Sequence, residues 1–221
     1  MPGIDWNAFL SPVLLSVKVS LVASALVFVL GIAAAWGLSR RTFPGRTLLE
    51  TALMLPLVLP PTVIGFILLV LLGKKSWFGR WIEEWFAAPL IFTWWAAVIA
   101  AVVVAFPLVY QTMKVGFASV DRSLEDAARS AGAGEWQVLR YITLPLAWRS
   151  LATAYILGFA RALGEFGATL MIAGNIPGKT QTVPTAIYMA VESGRMTLAW
   201  WWTGSIIVIS FMMMLIVNKK K

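Results

Sequence analysis

The chain contains no cysteine and no histidine. Without a thiol or an imidazole it has no thiolate nucleophile, no histidine acid–base group and no Cys/His metal site, so whole classes of enzyme are excluded before any motif is read. Charge is scarce as well: 13% of the 221 residues are Asp, Glu, Lys or Arg, against 60% hydrophobic residues and a mean hydropathy of +0.82. That balance excludes a soluble domain and fits a polytopic membrane protein, with residues 1–221 forming a single membrane domain. Five apolar stretches, about 11–39, 47–72, 89–112, 146–174 and 197–217, each reach the ~20 residues a helix needs to cross a bilayer. The first is too long, and lacks the basic leader, to be a cleaved signal peptide; it is expected to stay as a helix of the mature protein. The expected fold is all-α with about five transmembrane helices, an odd count that puts the termini on opposite sides.

The few charges are unevenly placed. Arg40, Arg41, Arg46, Lys114, Arg122, Arg129, Arg140, Arg149, Lys219, Lys220 and Lys221 fall in one set of connecting segments; Lys74, Lys75, Arg80, Lys179 and Arg195 fall in the other. Eleven against five assigns the richer set to the cytoplasm, with the N-terminus outside and the C-terminus inside. The net charge of +8 is then a matter of topology, with anionic lipid headgroups rather than nucleic acid as the partner. Trp77, Trp81 and Trp85 recur at helical spacing, and Trp200, Trp201 and Trp202 open the fifth span; both groups read as interface anchors. The run Met212–Met214 reads as lipid-facing filler.

Between the third and fourth spans lies a polar segment that can dock another surface. Ser123 and Asp126 have the spacing of a capping box, Glu125 and Arg129 pair at i and i+4, and Leu124, Ala127, Ala128 and Ala131 share a nearly flat face. Gly132 can end the helix, and Leu144-Pro145 marks a break before the next apolar run. In order, the segment reads Asp126, Ala127, Ala128, three residues, Gly132, nine residues, Ile142, one residue, Leu144, Pro145. This spacing resembles the "EAA loop" of permease subunits of ABC importers, with Asp126 where that family usually has Glu and Glu125 directly before it. The resemblance implies that Glu125, Asp126, Ala127, Ala128, Gly132, Ile142, Leu144 and Pro145 couple the chain to an ATPase subunit through a cytoplasmic loop at about 113–146.

Two further patterns lie within the apolar spans. In MLPLVLPPTVIGF, residues 54–66, Pro56, Pro60 and Pro61 free backbone carbonyls that lipid cannot satisfy, so this segment is expected to be buried, either as a kinked packing helix or along a pathway with Thr62. In the fourth span Arg161 and Glu165 stand four residues apart, where membrane depth demands that they neutralise each other, as a structural pair or as a gate. Lys18 lies near enough to the outer boundary to snorkel. Thr169 and Asn175 are the remaining polar candidates for a weakly binding path. The sequence Gly178-Lys179-Thr180 is no phosphate-binding loop, because position 173 is Ala where that motif needs Gly and no strand precedes it.

PLVLPPTVIGFILL, the 125–145 loop and EFGATLMIAGNIPGKTQTVPTAIY together resemble the permease subunits of molybdate ABC importers over nearly the whole chain. That resemblance implies the type I ABC importer permease fold and a protein of the cell (inner) membrane. It also implies a homodimer joined to two ATPase subunits and fed by an extracytoplasmic binding protein for molybdate or tungstate. ATP and Mg would belong to the ATPase, with no cofactor or metal on this chain and no catalysis by it. No longer family tail is expected after Lys219–Lys221. Sulfate or thiosulfate permeases are the nearest rivals. An ion-coupled carrier would need titratable groups along its path, and an intramembrane enzyme a second deep carboxylate; only Glu165 lies deep within a span.

Overall fold

The computed structural model describes residues 6–39, 43–86 and 88–218. Arg40, Arg41 and Lys219–Lys221, which enter the charge count, lie outside them. Every regular element among the described residues is a helix. The first helix, α1 (Trp6–Ser39), is followed by α2 (Arg46–Val58), α3 (Pro61–Leu72), a short α4 (Trp77–Phe86) and α5 (Trp94–Ala118). The polar segment holds α6 (Arg122–Ser130), α7 (Glu135–Val138), a π-helical turn (Leu139–Thr143) and α8 (Leu144–Leu146). Beyond it come α9 (Trp148–Leu163), α10 (Gly167–Ala173), α11 (Val183–Glu192) and α12 (Met196–Asn218).

Three helices, α1, α5 and α12, are long and apolar enough to cross a membrane unbroken. The count reaches the expected five when two bent pairs each count as one span: α2 with α3, bent by 115°, and α9 with α10, bent by 60°. Both pairs carry the chain from one end of the bundle to the other. Arg46 and Glu50 at the start of α2 lie beside Lys114 near the end of α5, the Lys114 Nζ standing 2.7 Å from the Glu50 carboxylate. At the opposite end Lys18 sits 3.8 Å from the ring centre of Trp94, where α5 begins. Lys18 is exposed and rests on the Trp94 ring in a cation–π contact, worth about 0.5–1 kcal/mol at an exposed site.

The core is where α1, α5 and α9 meet. Small residues let these helices approach: Gly158 packs against Val109 and Val27, and Gly31 against Met113 and Val109. Close backbone approach of this kind is how helices associate in lipid, where burial of oil-like side chains gives no advantage over the tails. One end of this core holds Val19, Ala23, Ala97, Ala101, Ala168 and Ile172; the other holds Val27, Tyr110, Met113, Leu151 and Ala154. By contrast α12 touches the body through Ala199 and Trp202, which pack on α11, and through Phe9 and Val13 of α1. Trp202 is 5% exposed and its indole N–H donates to the Phe9 carbonyl at 3.0 Å, so it is a bolt between helices rather than an interface anchor. Trp200 and Trp201 remain exposed, as an anchor requires.

The proline-rich segment departs from expectation. No residue of α2 is buried within the single chain, and Leu57 and Val58 are exposed beside the break. The reason is the placement of the prolines: Pro60 is the N-cap of α3 and Pro61 its first residue, where no amide hydrogen is needed. The break frees the groups that any helix end frees, and Pro56, inside α2, leaves one more carbonyl without its amide partner.

Candidate functional site

The polar segment folds around Arg129. Its guanidinium donates to Glu135 at 2.7 Å and to Asp126 at 2.6 Å, and its Nη2 lies 3.5 Å from Glu125. Glu135 foremost, with Asp126 and Glu125 beside it, raises the pKa of Arg129 above its ordinary value. Glu125 points inward: it is 9% exposed and accepts a 2.6 Å hydrogen bond from the Thr143 hydroxyl. One buried carboxylate thus ties α6 to the π-helical turn, across eighteen residues of sequence. Sequence reasoning named Glu125 but missed Thr143, Glu135 and the convergence on Arg129, which arises only because the chain doubles back after Gly132.

The helix begins and ends by local rules. The cap is Asp121, not Ser123: its carboxylate accepts the Ser123 amide at 2.9 Å, and this bond lowers its pKa. The spacing of Ser123 and Asp126 suggested a capping box, but an Asp two residues earlier reaches the first amides without strain. At the other end Ala133 donates to the Ala128 carbonyl and Gly132 to that of Arg129, the paired bonds of a Schellman motif. Gly132 has φ +90°, a conformation that costs a side chain strain, and nothing lies within 4 Å of where its Cβ would be.

Leu144-Pro145 does not break the chain as expected. The π-helical turn ends with the Leu144 amide on the Leu139 carbonyl, and Pro145 falls inside the first turn of α8, where its missing amide is harmless. Ala128, Gly132 and Ile142 come together on a shallow cleft of about 340 Å³, shared with Gln137, Val138 and Tyr141. Asp126, Ala127 and Pro145 stand exposed around it, and Leu144 is half-buried on the bundle side. Of the face expected to be nearly flat, Leu124, Ala127 and Ala131 are exposed and Ala128 is half-buried.

The second group of residues lies where the two bent pairs meet. Pro61 and Thr62 pack onto Gly167, at 3.1 and 3.3 Å from its Cβ position, and Gly65 backs onto Ala168 and Met171. Glu165 is 3% exposed; one oxygen accepts the Ala168 amide at 2.9 Å and the other lies 3.0 Å from the Arg161 guanidinium. It therefore does two jobs, capping α10 and neutralising Arg161, whose side chain is 33% exposed. Pro60 and Thr62 are exposed, whereas Thr169 is buried at 2% and Asn175 is half-buried beyond the end of α10. That end is pinned by Phe92, whose amide donates to the Ile172 carbonyl at 2.9 Å and whose ring lies against Gly174.

Residues 27–218 match the family described as binding-protein-dependent transport system inner membrane components. The chain belongs to that family. It is 59% identical over 199 residues to the putative molybdenum transport system permease protein YvgM of Bacillus subtilis (strain 168), covering 90% of this chain and 87% of the relative. It is 46% identical over 189 residues to the molybdenum transport system permease protein ModB of Escherichia coli (strain K12), covering 86% and 81%. Sulfate transport system permeases match at lower identity, 33–38%. Among solved structures, the inward-facing MetNI methionine ABC transporter aligns with a TM-score of 0.74 at 14% identity, covering 94% of this chain and 92% of that one. This likeness establishes the fold, that of a type I importer permease. The family match and the relatives make the chain a multi-pass inner-membrane transport permease.

Proposed function

We propose that this chain is the membrane subunit of an ATP-binding-cassette importer that moves molybdate or tungstate into the cell. The observation that carries the substrate is 46–59% identity to two molybdenum permeases over nearly the whole chain, against 33–38% to sulfate permeases, a range that also holds the Azotobacter vinelandii ModB at 36%. The braced segment from Asp121 to Leu146 is the coupling element. Its exposed alanine face and the cleft at Gly132 accept a separate ATPase subunit, which holds ATP and Mg, and Asp126 offers a charge at the edge. This reading puts the polar segment in the cytoplasm, the N-terminus outside and the C-terminus inside, in line with the lysine and arginine count.

A second copy of the chain completes the permease. The break between α2 and α3 leaves Leu57 and Val58 exposed beside backbone that lipid cannot satisfy, and a partner subunit meets both needs. Two ATPases and an extracytoplasmic oxyanion-binding protein complete the assembly, and selectivity belongs to the binding protein. Pro60, Pro61, Thr62, Arg161, Glu165, Thr169 and Asn175 then form the gate, held by contacts between the helix breaks.

The test is ATP hydrolysis by the permease and its ATPase in nanodiscs with the cognate binding protein. Molybdate or tungstate stimulates hydrolysis at concentrations where sulfate does not, and Gly132→Trp abolishes the stimulation while leaving the permease inserted. Equal stimulation by sulfate contradicts the substrate, and a normal Gly132→Trp complex contradicts the coupling site.

A further inference from the structure

The outer face of α9 is polar at its inner end. Arg149, Thr153, Ala160 and Gly164 are exposed and fall on one side of the helix, with the half-buried Ile156 and Leu157 among them and Ser150 and Arg161 at the edge. From Ser150 to Gly164 this face runs about 21 Å at 1.5 Å per residue, most of a bilayer's hydrocarbon depth. At its inner end it borders a cleft of about 340 Å³ between α5 and α9, lined by Gln111, Thr112, Val115, Ser150 and Thr153. Gln111 is exposed seven residues inside the end of α5, roughly 10 Å along the helix, and its amide makes no hydrogen bond among the described residues. An unsatisfied amide at that depth costs several kcal/mol in hydrocarbon, on the order of 4 or more, so the cleft needs water or polar company. The Thr112 and Thr153 hydroxyls are spent on the Leu108 and Arg149 carbonyls one turn back, at 2.8 and 3.0 Å, which leaves the Gln111 amide as the cleft's donor.

Arg149 is exposed at the inner mouth, whereas Arg161, at the far end, is neutralised by the buried Glu165. A neutral amide donor beyond a single guanidinium at the mouth suits a doubly charged anion that must pass without being held.

We propose that this α5–α9 face lines the cytoplasmic half of an aqueous route for a tetrahedral oxyanion, with the Gln111 amide as the donor at its narrow cleft and Arg149 at its exit. The assignment rests on the importer reading and adds residues to the gate described above: the gate closes at the helix breaks, and the route continues inward along α9. Molybdate and sulfate share the chemistry required, so the route itself does not discriminate between them.

The chain's lack of cysteine allows a direct test. Gln111→Cys and Thr153→Cys, each in the assembled complex in proteoliposomes, are treated with a negatively charged methanethiosulfonate, and Val208→Cys, on the exposed apolar side of α12, serves as the lipid-facing control. Both route positions should react roughly tenfold faster than Val208→Cys, because reactivity follows access to the thiolate, and modification should abolish anion uptake. Rates no faster than the control, or undiminished uptake after modification, overturn the proposal. Hydrolysis stimulated by molybdate in the unmodified complex reads the importer assignment separately: its loss with the labelling contrast intact condemns the substrate and not the route.

Discussion

Glu165 shows how one side chain can settle a local structure and leave a function open. Its carboxylate is buried, caps α10 and faces Arg161, so removing the arginine strands a charge, whereas removing both charges does not. Arg161→Met is expected to destabilise the permease by about 3 kcal/mol, the low end for an uncompensated buried charge because a third of the arginine is exposed. The double variant Arg161→Met/Glu165→Gln keeps the cap acceptor and should recover most of that loss in thermal unfolding; no recovery would mean that the two residues act separately. The i, i+4 spacing made this pair legible in the sequence, as it did the pairing of Glu125 with Arg129. The Thr143–Glu125 bond was not legible, because nothing local links positions eighteen apart. The cap was misplaced for a related reason: Asp121 and Ser123 both carry capping side chains, and only the backbone path decides between them.

At the scale of elements, hydropathy located the spans but not their bends. An apolar run reads alike whether straight or folded, so 47–72 and 146–174 looked like single helices, and the prolines signalled a break without its 115° angle. The short α11 escaped notice because its ten residues lie between spans and its threonines, Thr182 and Thr185, are buried. The helix α4 was foreshadowed by the tryptophan spacing: Trp77 and Trp85 are widely exposed, while Gly79 lies against the Leu72 and Gly73 carbonyls. Its aromatic side thus faces away from the bundle, as an interface anchor should. The proposed orientation can be tested at the segment ends. A cysteine at Lys179 should react with a membrane-impermeant thiol reagent in intact cells and one at Ser130 should not; these positions avoid Ser76, which accepts the Gly79 amide at the start of α4. Labelling of Ser130→Cys from outside would reverse the topology and remove the coupling segment from the ATPase side.

For the whole molecule, the architecture is a bundle of small-residue contacts with a braced polar segment at one end and two helix breaks facing each other deeper in. The polar segment joins the bundle through the π-helical turn, which leads by α8 and Ala147 into α9 and so toward Glu165, the path a shift would take under the importer reading. Under the proposed importer reading, directional movement is driven by ATPase subunits outside this chain. The decisive measurement is molybdate accumulation in proteoliposomes that carry the permease with its ATPase, ATP inside and the loaded binding protein outside. The account predicts accumulation that stops when ATP or the binding protein is withheld and is indifferent to proton and sodium gradients. Accumulation driven by either gradient in the absence of ATP would contradict it and make this chain an ion-coupled carrier.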